Sequence, residues 1–333
     1  INMNNYKKIG LTALAASLVS VSANAGALTA SGSASMNMEG HTGTGLNAPT
    51  TFSMANSVTM TGSGEMDNGL TVSVSFEMDQ GTSNNSSLGF DSHSVTVSSD
   101  TLGTLTLAGH GGNSATTAID TTAAGDMWDN FDGLIVLGGT TIADAAIGNG
   151  GVNNSLFYSS PDLMDGLNFT LSYDPQVEGT SGTGSDGQVG YGVNYSGVDG
   201  LTVSYATSDV NDHDSDKAGD NQVIKATYAY GPVTVGYSEM EHDEGASGGG
   251  NDTTITSYAL TYTVSDELSV TYGTETSDRG DVSVDAEVEG IKVSYTTGGM
   301  TISANSMSIE NGNYTTAAAE DADYWKLGAS FAF

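Results

Sequence analysis

Tyr324-Trp325-Lys326-Leu327-Gly328-Ala329-Ser330-Phe331-Ala332-Phe333, the last ten residues of the chain, alternate strictly. Trp325, Leu327, Ala329, Phe331 and Phe333 share one face, and Tyr324, Lys326, Gly328, Ser330 and Ala332 share the other. Successive side chains of a strand point to opposite sides, so this stretch reads as a two-faced β-strand. In a soluble sandwich the apolar face is buried in a core; in a membrane-spanning barrel it meets lipid. The number of similar strands separates the two cases.

Working upstream, period-two segments recur at intervals of roughly 15–25 residues, with no helical period between them. Leu70-Val72-Val74-Phe76-Met78, Leu167-Phe169-Leu171-Tyr173, Val189-Tyr191-Val193-Tyr195 and Leu201-Val203-Tyr205 are clear cases. Ile224-Ala226-Tyr228-Tyr230, Tyr258-Leu260-Tyr262 and Ile291-Val293-Tyr295 continue the series. The residues between them are Ser, Thr, Gly, Asn and a few charges. The connections alternate: seven short turns, such as 65–69, 197–200 and 231–232, and eight long acidic loops, such as 40–50, 111–153 and 209–220. That pattern predicts sixteen antiparallel strands in up-and-down order, with one smooth and one elaborated rim. The inner face reads as almost wholly Ser, Thr, Gly and Asn, as a wet lumen requires, and barrels of sixteen to eighteen strands leave an aqueous channel.

Composition narrows the class. Seven Lys+Arg stand against 40 Asp+Glu, a formal charge of −33, yet only 14% of residues are charged. Nucleic acid is repelled by such a field. The absence of cysteine excludes disulfides and thiolate metal sites. No run after the first 25 residues reaches the ~20 apolar positions of a helical span. Residues 1–25 carry Lys7 and Lys8, a short apolar stretch from Ile9 to Val21 and a small-x-small site at Ala23-Asn24-Ala25, the pattern of a signal peptide ahead of a barrel domain at 26–333. Without it, 5 basic residues face 40 acidic ones, a charge of −35. Fourteen tyrosines lie between 158 and 324 and none between 26 and 157. Tyrosine belongs at lipid interfaces. The earlier strands, with outward Ala30, Gly32, Ala34, Met36, Met38, Met54, Val58 and Met60, therefore read as a subunit interface.

The segment Asn154-Ser155-Leu156-Phe157-Tyr158-Ser159-Ser160-Pro161, followed by Gly166, closes the long third loop. It resembles the N-S-x-x-Y-x-S-P…G segment of Gram-negative general diffusion porins. The aromatic C-terminal strand ending in Phe333 and the 43-residue third loop, 111–153, are similar to theirs as well. The resemblance spans the whole chain after the signal. It implies a trimeric sixteen-stranded barrel in the outer membrane of a Gram-negative bacterium, with the third loop folded into the lumen to narrow it. It further implies that loop carboxylates, here Asp120, Asp126, Asp129, Asp132 and Asp144, face basic residues on the wall. The final Phe is implied to be part of the signal read by the assembly machinery. The chain departs from the pattern on the basic side: no Lys or Arg stands between Ile9 and Asp216, and strand parity leaves Lys225, Lys292 and Lys326 as inward candidates.

Signals for other chemistry are thin. Gly245-Ala-Ser247-Gly-Gly249 matches G-x-S-x-G, but in an acidic loop and not on a strand-to-helix turn. Gly182-Thr-Gly184-Ser-Asp-Gly187 matches G-x-G-x-x-G with no helix after it to hold a pyrophosphate. The five histidines form no H-x-x-x-H pair. Asp209, Asp212, Asp214 and Asp216 are spaced closely enough to attract Ca²⁺, although Lys217 stands where the EF-hand loop needs Gly; the third-loop aspartates are an equal candidate. The expected function is a water-filled channel for passive diffusion of small hydrophilic solutes and ions, preferring cations, with no required cofactor. Expected partners are those solutes and cations, membrane lipid and further copies in a homotrimer. Alternatives are a substrate-selective porin of the same fold and a secreted acidic β-rich surface-layer or adhesin protein.

Overall fold

The computed structural model describes residues 28–43, 46–47, 50–79, 90–119, 121–131, 153–175, 187–210, 219–243 and 252–333. The expected signal peptide lies outside them. Among the described residues sixteen long strands follow one another: β1 (Thr29–Gly43), β2 (Thr51–Glu65), β3 (Thr71–Asp79), β4 (Ser92–Ser99), β5 (Gly103–His110), β6 (Ser155–Ser159), β7 (Leu167–Asp174) and β8 (Gln188–Val198). Then come β9 (Leu201–Val210), β10 (Gly219–Tyr230), β11 (Val233–Asp243), β12 (Thr253–Thr263), β13 (Leu268–Arg279), β14 (Ala286–Thr297), β15 (Met300–Glu310) and β16 (Ala322–Ala332). A two-residue strand, Leu46–Asn47, extends the first loop against Thr42 and Gly43.

Each strand pairs antiparallel with its chain neighbours, and β16 pairs with β1 from Ser33↔Ala332 to Gly43↔Ala322. The sheet closes on itself, which removes every unpaired edge, as a membrane interior demands. Gly32 and Phe333 seal the seam with two backbone bonds of 2.7 and 3.0 Å. All seven short turns fall at one end and all eight long connections at the other, as the spacing predicts. Several loops are shorter than the spacing predicts: β1 runs on to Gly43, and β13 runs on to Arg279, which pairs with Thr253.

The short turns leave no slack. Gly103 opens β5 at φ +80, and a Cβ there would lie 2.2 Å from the Ser159 carbonyl oxygen of β6. Gly69, at φ +81, has open space around its missing side chain. Gly103→Ala is therefore expected to destabilise the barrel by about 2–4 kcal/mol, and Gly69→Ala by only about 1 kcal/mol. Heat-induced unfolding in detergent, followed by gel mobility, measures both; equal losses would remove the close approach at Ser159 as the cause.

Twelve of the fourteen tyrosines lie on the outward face, with Val, Leu and Ile between them, on β6–β14. Tyr191, Tyr205, Tyr258, Tyr272 and Tyr295 are exposed there. On the inner wall of β1–β5 hydroxyls and one amide bond across strands: Ser33 to Ser57 at 3.1 Å, Asn37 to Ser53 at 3.2 Å and Thr96 to Thr106 at 3.0 Å. This half matches the polar lumen expected from the sequence.

The other half corrects it. Inward positions near the long-loop ends of β10–β15 are apolar: Val223, Met240, Ile255, Val288 and Ile309, none more than 1% exposed. They join Met127, Trp128 and Phe131 of the third loop and Tyr324 of β16 in one buried cluster. The inner wall is thus wet on one side and dry on the other. Inward parity predicts contact with whatever fills the barrel, and here part of the filling is protein rather than water.

Candidate functional site: the third loop across the lumen

The described part of the third loop carries only two short 3-10 turns, Thr117–Ile119 and Met127–Asn130. Its backbone amides therefore need partners from elsewhere. The barrel wall supplies them in strand order. Ala115 N–H donates to Ser172 Oγ of β7 at 2.9 Å, and Thr116 Oγ1 bonds Ser208 Oγ of β9 at 3.0 Å. Lys225 Nζ of β10 donates to the Thr121 carbonyl at 2.6 Å. Ala123 N–H reaches Ser238 Oγ of β11 at 2.8 Å, and Ala124 N–H reaches Ser257 Oγ of β12 at 2.9 Å. Asn130 Nδ2 approaches Met307 Sδ of β15 at 3.5 Å, and the Asn130 carbonyl bonds His41 Nε2 of β1 at 2.7 Å. Phe131 meets the Tyr324 ring of β16, centroids 6.2 Å apart. The segment is stitched along more than half the circumference.

The strongest stitch is a carboxylate. Glu275 of β13 is 0% exposed. It accepts hydrogen bonds from the Thr122 hydroxyl, from Met127 N–H at 2.8 Å and from Ser257 Oγ at 3.3 Å. The Thr122 hydroxyl in turn accepts from Asp126 N–H at 2.8 Å, and Asp126 Oδ1 accepts from Thr122 N–H at 2.7 Å. This closed ring of bonds holds Asp126 in a left-handed conformation, φ 53. Immediately beside it, Gly273 lets the loop approach: a Cβ there would lie 2.6 Å from Ala124 Cβ.

The site residues read from the sequence are placed as follows. Asp126 and Asp129 sit on the pinned segment, Asp126 half-buried and Asp129 exposed. Asp120, Asp132 and Asp144 lie outside the described residues. Lys225, Lys292 and Lys326 all point inward, as parity predicts. Lys292, Asn305, Lys326 and Glu39 are successive cross-strand partners on β14, β15, β16 and β1, a continuous inward row across four strands. Lys292 and Asn305 line a cavity of about 240 Å³ together with Asp126, Asp129 and Asn130 of the loop. Lys225 lines a separate cavity of about 230 Å³ with Thr121, Asn194, Thr202, Ser204 and Thr227. The structure therefore brings Lys292 to the aspartates and leaves Lys225 apart from them.

Of the calcium candidates, Asp209 is the penultimate residue of β9, opposite Asp220, which lies opposite Asp243; Asp212, Asp214 and Asp216 lie outside the described residues. No group of three metal-ligating side chains occurs among the described residues. The G-x-S-x-G stretch and all but the last Gly of G-x-G-x-x-G also fall outside them. Glu275 and the wall serines were not singled out in the sequence. The signal was present: Leu268, Val270 and Tyr272 point outward, so residue 275 points inward, a charge facing the lumen.

The last long loop also enters the barrel. Tyr314, at φ 56, is buried, bonds Ser277 Oγ at 2.9 Å and lies beneath Arg279, 4.5 Å from the ring centroid. Burial pushes its phenol above the ordinary range. Arg279, the chain's sole arginine, is also paired with Asp281 at 2.5 Å.

Comparison with known proteins agrees with this architecture. A family model described as Gram-negative porin matches residues 10–333. Among solved structures, the anion-selective porin from Comamonas acidovorans is similar over 92% of this chain and 99% of its own, at 16% identity and TM-score 0.66. A triple variant of the Rhodopseudomonas blastica porin is similar over 92% and 100%, at 18% identity and TM-score 0.63. At such identities the structural likeness speaks for the fold alone. No curated protein matches the chain in sequence. With the family model running to the last residue of a closed barrel that its third loop crosses, the chain belongs to the Gram-negative porins.

Proposed function

We propose that the chain is an outer-membrane channel for passive diffusion of small hydrophilic solutes and ions, that it prefers cations, and that it works as a homotrimer. The carrying observation is the imbalance of charge around the third loop. Asp126 and Asp129 stand on the loop and Glu39 on the wall. Of three inward lysines, Lys225 is engaged by a loop carbonyl, and Lys326 lies across from Glu39. Asp126 and Asp129 form the acidic side of the constriction and Lys292 with Lys326 its basic side. With 5 cations against 40 carboxylates after the signal, the mouth concentrates cations and repels anions. The anion selectivity of the Comamonas porin does not transfer, because ion preference follows the lining charges and not the strand topology.

Zero-current potentials in a KCl gradient test this. Potassium is expected to be preferred over chloride by about 3–10-fold. A preference for chloride would overturn the cation reading and leave the channel intact.

The trimer rests on the outward face of β1–β3. Met36 lies opposite Met54 and Met38 opposite Phe52, and Phe52 is 83% exposed in the single chain. Flexible Met and small residues suit close packing between subunits. An oligomer that resists detergent unless heated is expected; a monomer alone under gentle extraction would contradict it.

A further inference from the structure

We infer that the last long loop, residues 311–321, is a strap that keeps water off the third loop's anchor, and that Tyr314 is thereby a positioning residue for the third loop. The inference rests on the channel reading only for its effect on current.

Toward the long-loop rim, the inward side chains of β13 are Glu275, Ser277 and Arg279 in turn. Glu275 is the acceptor that holds the third loop, and Ser277 stands between it and the mouth. Both are 0% exposed. Tyr314 covers Ser277: the two hydroxyls bond at 2.9 Å, and the Arg279 guanidinium lies over the ring, 4.5 Å from its centroid. Cross-strand register continues from Glu275 to Val288, Ile309 and Ala322, all buried. Tyr314 belongs to the same buried cluster as these three and as Met127, Trp128 and Phe131 of the third loop. The two loops thus share one apolar core, with Glu275 beside it.

The strap is held against a cost. Tyr314 has φ 56, and Asn311 and Asn313 are left-handed as well, at φ 53 and 55. Asn tolerates that conformation, whereas a bulky Tyr takes it only where surrounding contacts impose it. Those contacts are the Ser277 bond, the burial of the ring and the cation above it. At the base, Asn311 N–H donates to Asp321 Oδ1 at 3.0 Å. Without the ring the clamp is gone, and the turn has no reason to stay inside the barrel. Water then reaches Ser277 and, one inward position further, Glu275. In a wet site water competes for the bonds of that carboxylate to the Met127 amide and the Thr122 hydroxyl, so the third loop is held more weakly.

Deuterium uptake by the third-loop segment 122–131 in the detergent-solubilised protein tests the strap, with β2 and β3 as internal reference. In Tyr314→Ala, exchange of that segment should quicken about tenfold while the reference stays unchanged. Arg279→Gln keeps the ring and removes the cation above it. It should quicken the same exchange about threefold, and it covers the case in which Tyr314→Ala does not fold. Tyr314→Phe retains the buried ring and should stay close to the unmodified protein. In planar bilayers the Tyr314→Ala current should be noisier than that of Tyr314→Phe. Uptake unchanged in 122–131, or raised equally in β2 and β3, overturns the strap. An unmodified protein that inserts and passes no current overturns the channel reading instead, and the exchange result stands apart from it.

Discussion

Glu275→Ala is expected to raise single-channel conductance about twofold and to lower the barrel's stability by about 3–5 kcal/mol. The carboxylate is fully buried and takes three donors, two of them from the third loop. Its removal leaves the Met127 amide and the Thr122 hydroxyl without acceptors in a dry site, at about 1–3 kcal/mol each, and empties the volume the side chain filled. The nearest remaining anchors, Ala123 to Ser238 and Ala124 to Ser257, are neutral bonds with net contributions of about 1 kcal/mol each. They do not offset that loss, so the segment around Asp126 leaves the wall and the constriction changes shape. Glu275→Gln keeps the volume but turns one acceptor into a donor that faces another donor, and should fall between the two. Planar-bilayer conductance and current noise read the result. A folded Glu275→Ala barrel with unchanged conductance would mean that the loop is held without this residue.

The second large effect concerns which side of the barrel conducts. The chain has no cysteine, so single cysteines can be introduced without background. A cysteine replacing Ser57, on the hydroxyl-lined wall, should react with a small charged thiol reagent at least about 100-fold faster than one replacing Val288. The latter must wait for local opening, and an opening free energy of about 3 kcal/mol slows labelling by that factor. Modification at Ser57 should also cut the current; treatment of the Val288 variant should not. Equal rates would place water against the inner face of β14 and remove the dry half of the lumen.

The two experiments address parts of the molecule that were unequally legible in the sequence. Alternation in 324–333 and in the segments before it reports which residues share a face, and the short-long rhythm of the connections reports strand number and order. Both are local or nearly so, and β1 to β16 fall where they predict. The inward direction of Lys225, Lys292 and Lys326 follows from the same parity.

Parity says nothing of height along the barrel or of what a side chain meets there. Lys225 and Lys292 look equivalent in sequence. Strand register puts Lys292 beside Asp126 and Asp129, and Lys225 under the Thr121 carbonyl in a different cavity. The dry inner face of β10–β15 is hidden from the sequence for the same reason. An inward Val223 or Ile255 is compatible with a wet lumen as an isolated residue, and only the packed cluster with Trp128 and Phe131 shows that this half is dry.

The sequence by itself therefore determined the class of architecture: a closed antiparallel barrel with one elaborated rim, and the sign of its charge. A period of two and a count of turns carry that much, because a strand's two faces are set by neighbouring residues. The tertiary structure alone decided the path of the third loop, its attachment to Glu275 and the division of the lumen into wet and dry halves. Thr122 and Glu275 stand 153 positions apart. Their bond exists because the eight strands β6 to β13 curve round to bring a wall carboxylate to a loop that lacks partners of its own, a condition set by closure of the whole ring and by no segment of it.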